Sequence, residues 1–425
     1  MIFSFLFLFV PIIFSNQEEI LIGNGWSSKE NGREAVGEAV NKLKENLKLK
    51  PDIIILYSTV KYEPDEIIKE INKIFGREVK IFGETSCSGV LTNDGFHKGS
   101  LALLGISSKK ISSGIGISDM EKIKDPKEAG RTAILQAIKD AGKSEKELPT
   151  ILLLASSSIG DEEEILEGVE EVLGKGKVPI YGGASADDKI EGRWKIFGKD
   201  KALKRGVVVL AIYSDFKIGH SFLSGFNPTD YKGKITSCKG RVIYELDGRP
   251  AGEVYNEWIG GKLKKELESS SPNILLQTNL DPLGKKIYPL GGISSFLLIH
   301  PKSFPPDPPK SLEVFVDVKK GDELYLMKGS PEMLVRRPEL TARLARARGG
   351  IREEDIAGGI FIYCAGTMLA IPEKDLDDMA RGINRALGAK PFIGVFTFGE
   401  QGFFPGIGNL HGNLMSSSIV FSRKK

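Results

Sequence analysis

Cysteine, histidine and glutamine are scarce in this chain of 425 residues. The three cysteines, Cys87, Cys238 and Cys364, are odd in number and far apart, which excludes a disulfide framework, and no CxxC pair offers a structural zinc site. The four histidines, His97, His220, His300 and His411, show neither H-E-x-x-H nor any other paired metal-binding spacing. Neither G-x-G-x-x-G nor G-x-x-x-x-G-K-[ST] occurs, so dinucleotide and nucleoside-triphosphate fingerprints are absent. The net charge is only +3, which gives no electrostatic case for a nucleic-acid or membrane-surface partner. Arg336, Arg337, Arg343, Arg346, Arg348 and Arg352 cluster on a helical stretch, but Glu339, Glu353, Glu354 and Asp355 offset them, as on a solvated helix face. Glutamine occurs only at Gln17, Gln136, Gln277 and Gln401, while Lys and Glu dominate the charges, a balance that resembles a heat-adapted proteome.

What is present is a globular composition, 41% hydrophobic and 27% charged, in a chain long enough for more than one core. The one long apolar run is Met1–Ser15, followed by polar Asn16, Gln17, Glu18 and Glu19. It is short for a bilayer span, lacks a basic residue before it, and resembles the apolar region of a signal peptide. Export signal, membrane anchor and mis-called start are the readings open here. The chain is cytoplasmic if the start is mis-called, exported if the run is a signal, and membrane-bound only if it is retained. Reduced cysteines and the lack of an N-x-S/T acceptor (Asn227 is followed by Pro228) do not favour secretion.

Behind this leader the pattern repeats. The spacing of Ala35, Val36, Ala39, Val40, Leu43 and Leu47 predicts a helix over about Arg33–Leu47, and Asp52–Ser58 (DIIILYS) reads as a strand buried on both faces. Pro64 opens a second helix that Gly76 closes, and Val79–Ser86 is the next strand. Asn93-Asp94-Gly95 is a turn leading to Gly99–Ile106. The order recurs with a helix after Asp125-Pro126, the strand Thr150–Ser156, a helix from about Glu163 to Leu173, and the strands Val178–Ser185 and Arg205–Ile212. A fainter third copy runs from Ile360–Thr367 through a helix over Glu373–Leu387 to the final strand. These predict an α/β fold of layered mixed sheets, built from repeated helix–strand–helix–strand–strand units in two domains. Residues 226 to 330 are richer in Gly and Pro, and a boundary is expected near Ser224–Thr229.

Three strands end in small and polar residues: Gly83 to Gly89, Gly182 to Asp188, and Gly394 to Glu400. In open α/β sheets ligands bind at the carboxyl ends of strands, where glycine admits close approach and hydroxyls supply hydrogen bonds. Glu84, Thr85, Ser86, Cys87, Ser185, Asp187, Cys364, Thr397, Glu400 and His411 are therefore the candidate ligand-binding residues; the plain alternative is that they only make tight turns. Cys87 or Cys364 could serve as a nucleophile if a base activated it, yet no Cys–His signature is present, and a free Cys beside a strand is usually core. His97, His220 and His411 are candidate axial ligands should haem be bound; a hydrogen-bonded structural histidine is the commoner role.

The segment Tyr244–Gly260 (YELDGRPAGEVYNEWIG) carries Asp247, Gly248, Pro250, Ala251, Tyr255 and Trp258 in the order of the D-G-x-P-A turn and helix of FIST-domain proteins, and the chain resembles that family. PIYGGASADD, IYCAGT, GVFTFGEQG, LHGN and VKIFGETSCSG are similar to further family elements, in family order over about residues 30 to 422. Thr367 departs from the family's Arg after C-A-G, and Gly412 interrupts its His–Asn–Gln run. The resemblance implies a FIST N-like domain over 30–225 and a FIST C-like domain over 226–424, after a leader at 1–16. It also implies a non-enzymatic sensory input module for a small ligand such as an amino acid, or, as in some members, for haem and nitric oxide. No metal is expected. No output segment follows in this sequence, so a separate signalling protein is the expected partner.

Overall fold

In the computed structural model, which describes residues 19–158, 160–269, 273–288 and 295–425, three copies of one α/β unit follow each other along the chain. The expected leader at 1–16 lies outside the described residues. Among the described residues no helix is long and apolar enough to cross a membrane.

Local chemistry sets the elements. The helix Gly32–Leu47 begins where the Asn31 side chain accepts from the N–H groups of Arg33 and Glu34, and Asp125 caps Pro126–Asp140 through Lys127 and Glu128. Pro64–Phe75 and Glu162–Leu173 stop at Gly76 and Gly174, each at φ 88°. The strands Ile53–Ser58 and Ile151–Ser156 are buried at every residue, as unbroken apolar runs require. Each unit also opens on a strand that periodicity does not reveal: Leu21–Ser27, Ile111–Asp119 and Ile218–Ser224. Glycine there lets the unit's first helix lie directly on strand backbone. A Cβ on Gly25 would fall 1.9 Å from the Ala39 carbonyl oxygen, and one on Gly116 1.7 Å from that of Ala133.

In each unit two strands pair in parallel: Ile53–Ser58 with Lys80–Thr85, Ile151–Ser156 with Ile180–Ala184, and Ile356–Cys364 with Phe392–Thr397. The second strand of each pair would be an exposed edge, a row of unpaired N–H and C=O groups. A hairpin from another unit covers it. Lys80–Thr85 receives Ile196–Gly198 of the second unit, Ile180–Ala184 receives Glu400–Phe404 of the third, and Phe392–Thr397 receives Gly89–Thr92 of the first. The exchange runs in a closed ring and yields three mixed six-stranded sheets. Their inner faces share one large core, containing Tyr57, Tyr181, Phe222, Phe396 and Phe421, while helices over the first and second sheets close separate cores.

Between Ile218–Ser224 and the helix Pro331–Arg348 the third unit carries an insertion, an antiparallel eight-stranded sheet with the helix Ala251–Trp258. It has its own core around Tyr255, Leu263, Phe304 and Leu326. Its short strands, such as Leu312–Val314, lack the long apolar runs that mark the parallel strands, so sequence pattern alone does not display them.

Candidate functional site

The glycine-lined strand ends meet. Ala186 N–H donates to the Thr85 carbonyl (2.9 Å), Cys87 N–H to that of Phe396 (3.0 Å), and Phe398 N–H to that of Ala184 (2.8 Å). Each of these three bonds runs from one unit to another, and together they close a cyclic seam. Gly183 makes the closeness necessary, because a Cβ there would lie 2.4 Å from Thr397 Cγ2.

Most of the polar residues at these strand ends are spent inside the seam. Thr85 Oγ1 accepts from Lys195 N–H at 3.0 Å, and Ser86 Oγ donates to the Gly89 carbonyl while accepting from Phe396 N–H. The Asp187 carboxylate caps its own loop, accepting from the N–H groups of Lys189, Glu191 and Arg193. Thr397 Oγ1 bonds Glu400 Oε1 at 3.0 Å, and Glu400 Oε2 accepts from Met415 N–H at 3.1 Å. Ser185 Oγ and both oxygens of Glu84 are buried without a hydrogen-bond partner among the described residues. Burial lifts Glu400 to a pKa of about 8, and burial plus the nearby Glu400 holds Glu84 well above the carboxylate range. Glu400 is therefore mostly uncharged at neutral pH, and Glu84 is pushed in the same direction. Glu84, Thr85, Ser86, Ser185, Asp187, Thr397 and Glu400 form this buried polar seam and do not line the large cavity beside it, which Cys87, Cys364 and His411 do; of the seven, Thr85 reaches a smaller pocket with Tyr62 and Lys195.

That cavity, of about 840 Å³, opens where the strand ends of the units face the insertion. Ile190, Trp194, Leu275, Leu276, Phe315, Leu369 and Phe398 supply its apolar surface. Gln277, Asn279, His300 and Asn413 supply uncharged polar groups. Asn413 Oδ1 accepts from His300 N–H at 3.1 Å, and His300 Nε2 lies 3.1 Å from both Thr278 Oγ1 and the Leu275 carbonyl. Burial presses His300 down to a pKa of about 4, so it is neutral at neutral pH.

The charged groups on the cavity are largely paired. Arg241, from the insertion, bonds Glu162 at 2.9 Å, Glu163, and Asp317 at 3.3 Å, and Asp317 N–H donates to Glu163 Oε1. Glu162 and Glu163 begin a helix of the second unit, so this cluster ties the insertion to that unit. Burial opposes the charge on Arg241, but Glu162 and Glu163 more than offset it and keep the guanidinium protonated. Lys302 pairs with Glu313, and Asp188 accepts from Ser88 N–H at 2.7 Å.

The thiols are not activated. Burial pushes Cys87 up to about 11, and burial followed by the Glu400 carboxyl places Cys364 well above the thiol range. His97 stacks on Trp26 and bonds Thr92 Oγ1, and His220 bonds the Tyr181 hydroxyl; neither lines the cavity. Among the described residues, Glu162, Glu163 and His411 bring three possible metal-ligand atoms within 4.8 Å of one another. The Arg241 guanidinium, bonded to both carboxylates, already offsets part of their negative charge, and a cation there would compete with it. Sequence reasoning did not find Arg241, Trp194, Asn279 or His300 as site residues. They come from loops and from the insertion, where no periodicity or motif marks them.

With this geometry in view, comparison with known proteins gives one clear result. The family models for the FIST N domain and the FIST C domain match residues 52–249 and 251–403, and the chain belongs to this family, whose domains are sensory domains of signal transduction. An uncharacterised protein of Methanocaldococcus jannaschii is 31% identical over 112 residues, which is 26% of this chain and 21% of that protein. The chain thus matches about a fifth of that relative's length. Among solved structures, a cyanuric acid hydrolase aligns over 95% of this chain and 100% of its own at 10% identity and a TM-score of 0.40. The cyanuric acid hydrolase of A. caulinodans aligns over 95% and 100% at 6% identity and a TM-score of 0.38.

Proposed function

We propose that this chain is a non-enzymatic sensory module that holds a small polar ligand, such as an amino acid, in the cavity between the strand ends and the insertion. The observation that carries the reading is the position of the cavity. Residues of both family-matched segments line it, among them Cys87, Trp194 and Arg241 of the first and Asn279, His300 and Cys364 of the second. A zwitterion suits the Arg241–Glu162–Glu163 cluster, its carboxylate facing the guanidinium and its ammonium the glutamates. Such a ligand exchanges some of the ion pairs that tie the insertion to the second unit, and a separate output protein reads the resulting shift. The neutral thiols and the hydrogen-bonded His97 and His220 give no support to a cysteine-dependent enzyme or to haem ligation by those two histidines.

Isothermal titration of the purified chain against the free amino acids tests the proposal. Saturable heat with at least one of them, weakened by Arg241→Ala, is expected. No heat with any amino acid overturns it.

A further inference from the structure

Large apolar side chains gather on the exposed side of this cavity. Among the described residues eight such side chains stand out in solvent, and three of them, Ile190, Leu276 and Leu369, line the cavity at 54%, 69% and 49% exposure. One exposed leucine needs no explanation, but three around a single opening do. They are not sequence neighbours. Ile190 follows the strand Ile180–Ala184 of the second unit, Leu276 belongs to the insertion, and Leu369 ends the short helix Ala365–Leu369 of the third unit.

Ile190 carries a second cost. Its φ is 58°, in the left-handed region that β-branched residues avoid. The Asp187 carboxylate braces the loop on both sides of it, accepting from the N–H groups of Lys189, Glu191 and Arg193. Neither the strain nor the exposure helps the chain to fold, and a residue held under both points to function. An aromatic wall shares the space: Trp194 and Phe398 meet edge to face with ring centroids 6.1 Å apart, and Phe315 lines the same cavity.

We infer that the ligand carries an apolar body, of the kind an aromatic or branched aliphatic side chain provides, that packs on Trp194 and Phe398 and covers Ile190, Leu276 and Leu369. The inference rests on the reading of this cavity as the ligand site and narrows it: the Arg241 cluster receives the charged end, and the apolar collar the other. A volume of about 840 Å³ leaves room for such a body. A ligand as small as glycine or serine leaves the three side chains in water, and a charged side chain loses hydration against them. Because the aromatic rings line a cavity, the arrangement suits a molecule that enters rather than a flat protein face.

The test is isothermal titration of the full chain with phenylalanine, tryptophan and leucine against glycine, serine and glutamate. A further arm uses 3-phenylpropionate, which has the apolar body without the ammonium group. At least one of the apolar amino acids is expected to bind about tenfold tighter than glycine or serine, the discrimination that apolar pockets give for added methylene groups. Leu276→Ser should weaken that binding about threefold or more, through lost apolar contact. Leu148→Ser, at an exposed leucine outside the cavity, should leave it unchanged, and thermal unfolding confirms the fold of both variants. Leu276→Ser with no more effect than Leu148→Ser overturns the inference. Glycine, serine or glutamate binding as tightly as the apolar set also overturns it, and leaves the amino-acid reading standing. Binding of 3-phenylpropionate where no amino acid binds upholds the apolar body and removes the amino-acid reading. Silence from all seven compounds overturns the inference, and silence across the remaining amino acids removes the reading beneath it as well.

Discussion

Glu400 offers a test of the buried seam that needs no ligand. Its carboxyl is fully buried, bonded at 3.0 Å to Thr397 and at 3.1 Å to Met415 N–H, and it lies close enough to a second buried carboxyl, Glu84, to raise the pKa of that group. Burial raises Glu400 from 4.5 to about 8, against the pull of those two hydrogen bonds. Because the folded pKa lies above the unfolded one, its stabilising contribution is full below about pH 4.5 and is lost as pH rises to about 8. At about 1.4 kcal/mol per pKa unit the loss reaches about 5 kcal/mol across that window. Glu400→Gln keeps the shape and cannot ionise. Its carbonyl can accept from Met415 N–H while its amide N–H lies against Thr397 Oγ1, a hydroxyl that donates to the carboxyl in the wild type and can turn to accept. Urea unfolding of both proteins at pH 4.5, 6 and 8 should show the variant gaining on the wild type by several kcal/mol as pH rises, about 5 at the upper end. Contributions of the low-pKa histidines His97, His220 and His300 cancel, since both proteins carry them. Stability curves that run parallel across this window would refute the reasoning, because Glu400 would then be titrating as it does in water.

Further outcomes follow from the same geometry. Arg241→Ala leaves Glu162, only 5% exposed, without its cation and should cost about 3 kcal/mol in urea unfolding; a change below about 0.5 kcal/mol would show that the cluster ties nothing together. Gly183→Ala forces a methyl to within 2.4 Å of Thr397 Cγ2 and should destabilise the fold by about 1–3 kcal/mol, with an unchanged melting temperature as the contrary result. Cys87 and Cys364, with thiol pKa values raised by burial, should react with iodoacetamide near neutral pH far more slowly than a free thiol, and fast labelling of either in mass spectrometry would reopen the enzymatic reading.

How much of this was legible beforehand varied with how local each cause is. The apolar runs Ile53–Ser58 and Ile151–Ser156, the Asn31 and Asp125 caps and the closing Gly76 and Gly174 act within a few residues, and sequence showed the strands, helices and their repetition. The strand Leu21–Ser27 escaped because its glycines serve close packing against a helix and dilute the apolar alternation. Glycine and hydroxyl residues at the strand ends did mark the place where the units converge. Their chemistry was not legible: Ser86 or Thr397 reads alike whether its hydroxyl faces a ligand or a neighbouring strand.

Sequence by itself determined the α/β unit, its recurrence and the family to which the chain belongs, because periodicity, caps and motif order are properties of neighbouring residues. Tertiary structure alone decided that each unit's hairpin completes another unit's sheet, that seven of the ten candidate residues are buried in the seam, and that Arg241 and Asn279 line one cavity. The reason is that backbone edges pair with whatever complementary edge the fold brings near, and a side chain's role depends on which partners reach it first.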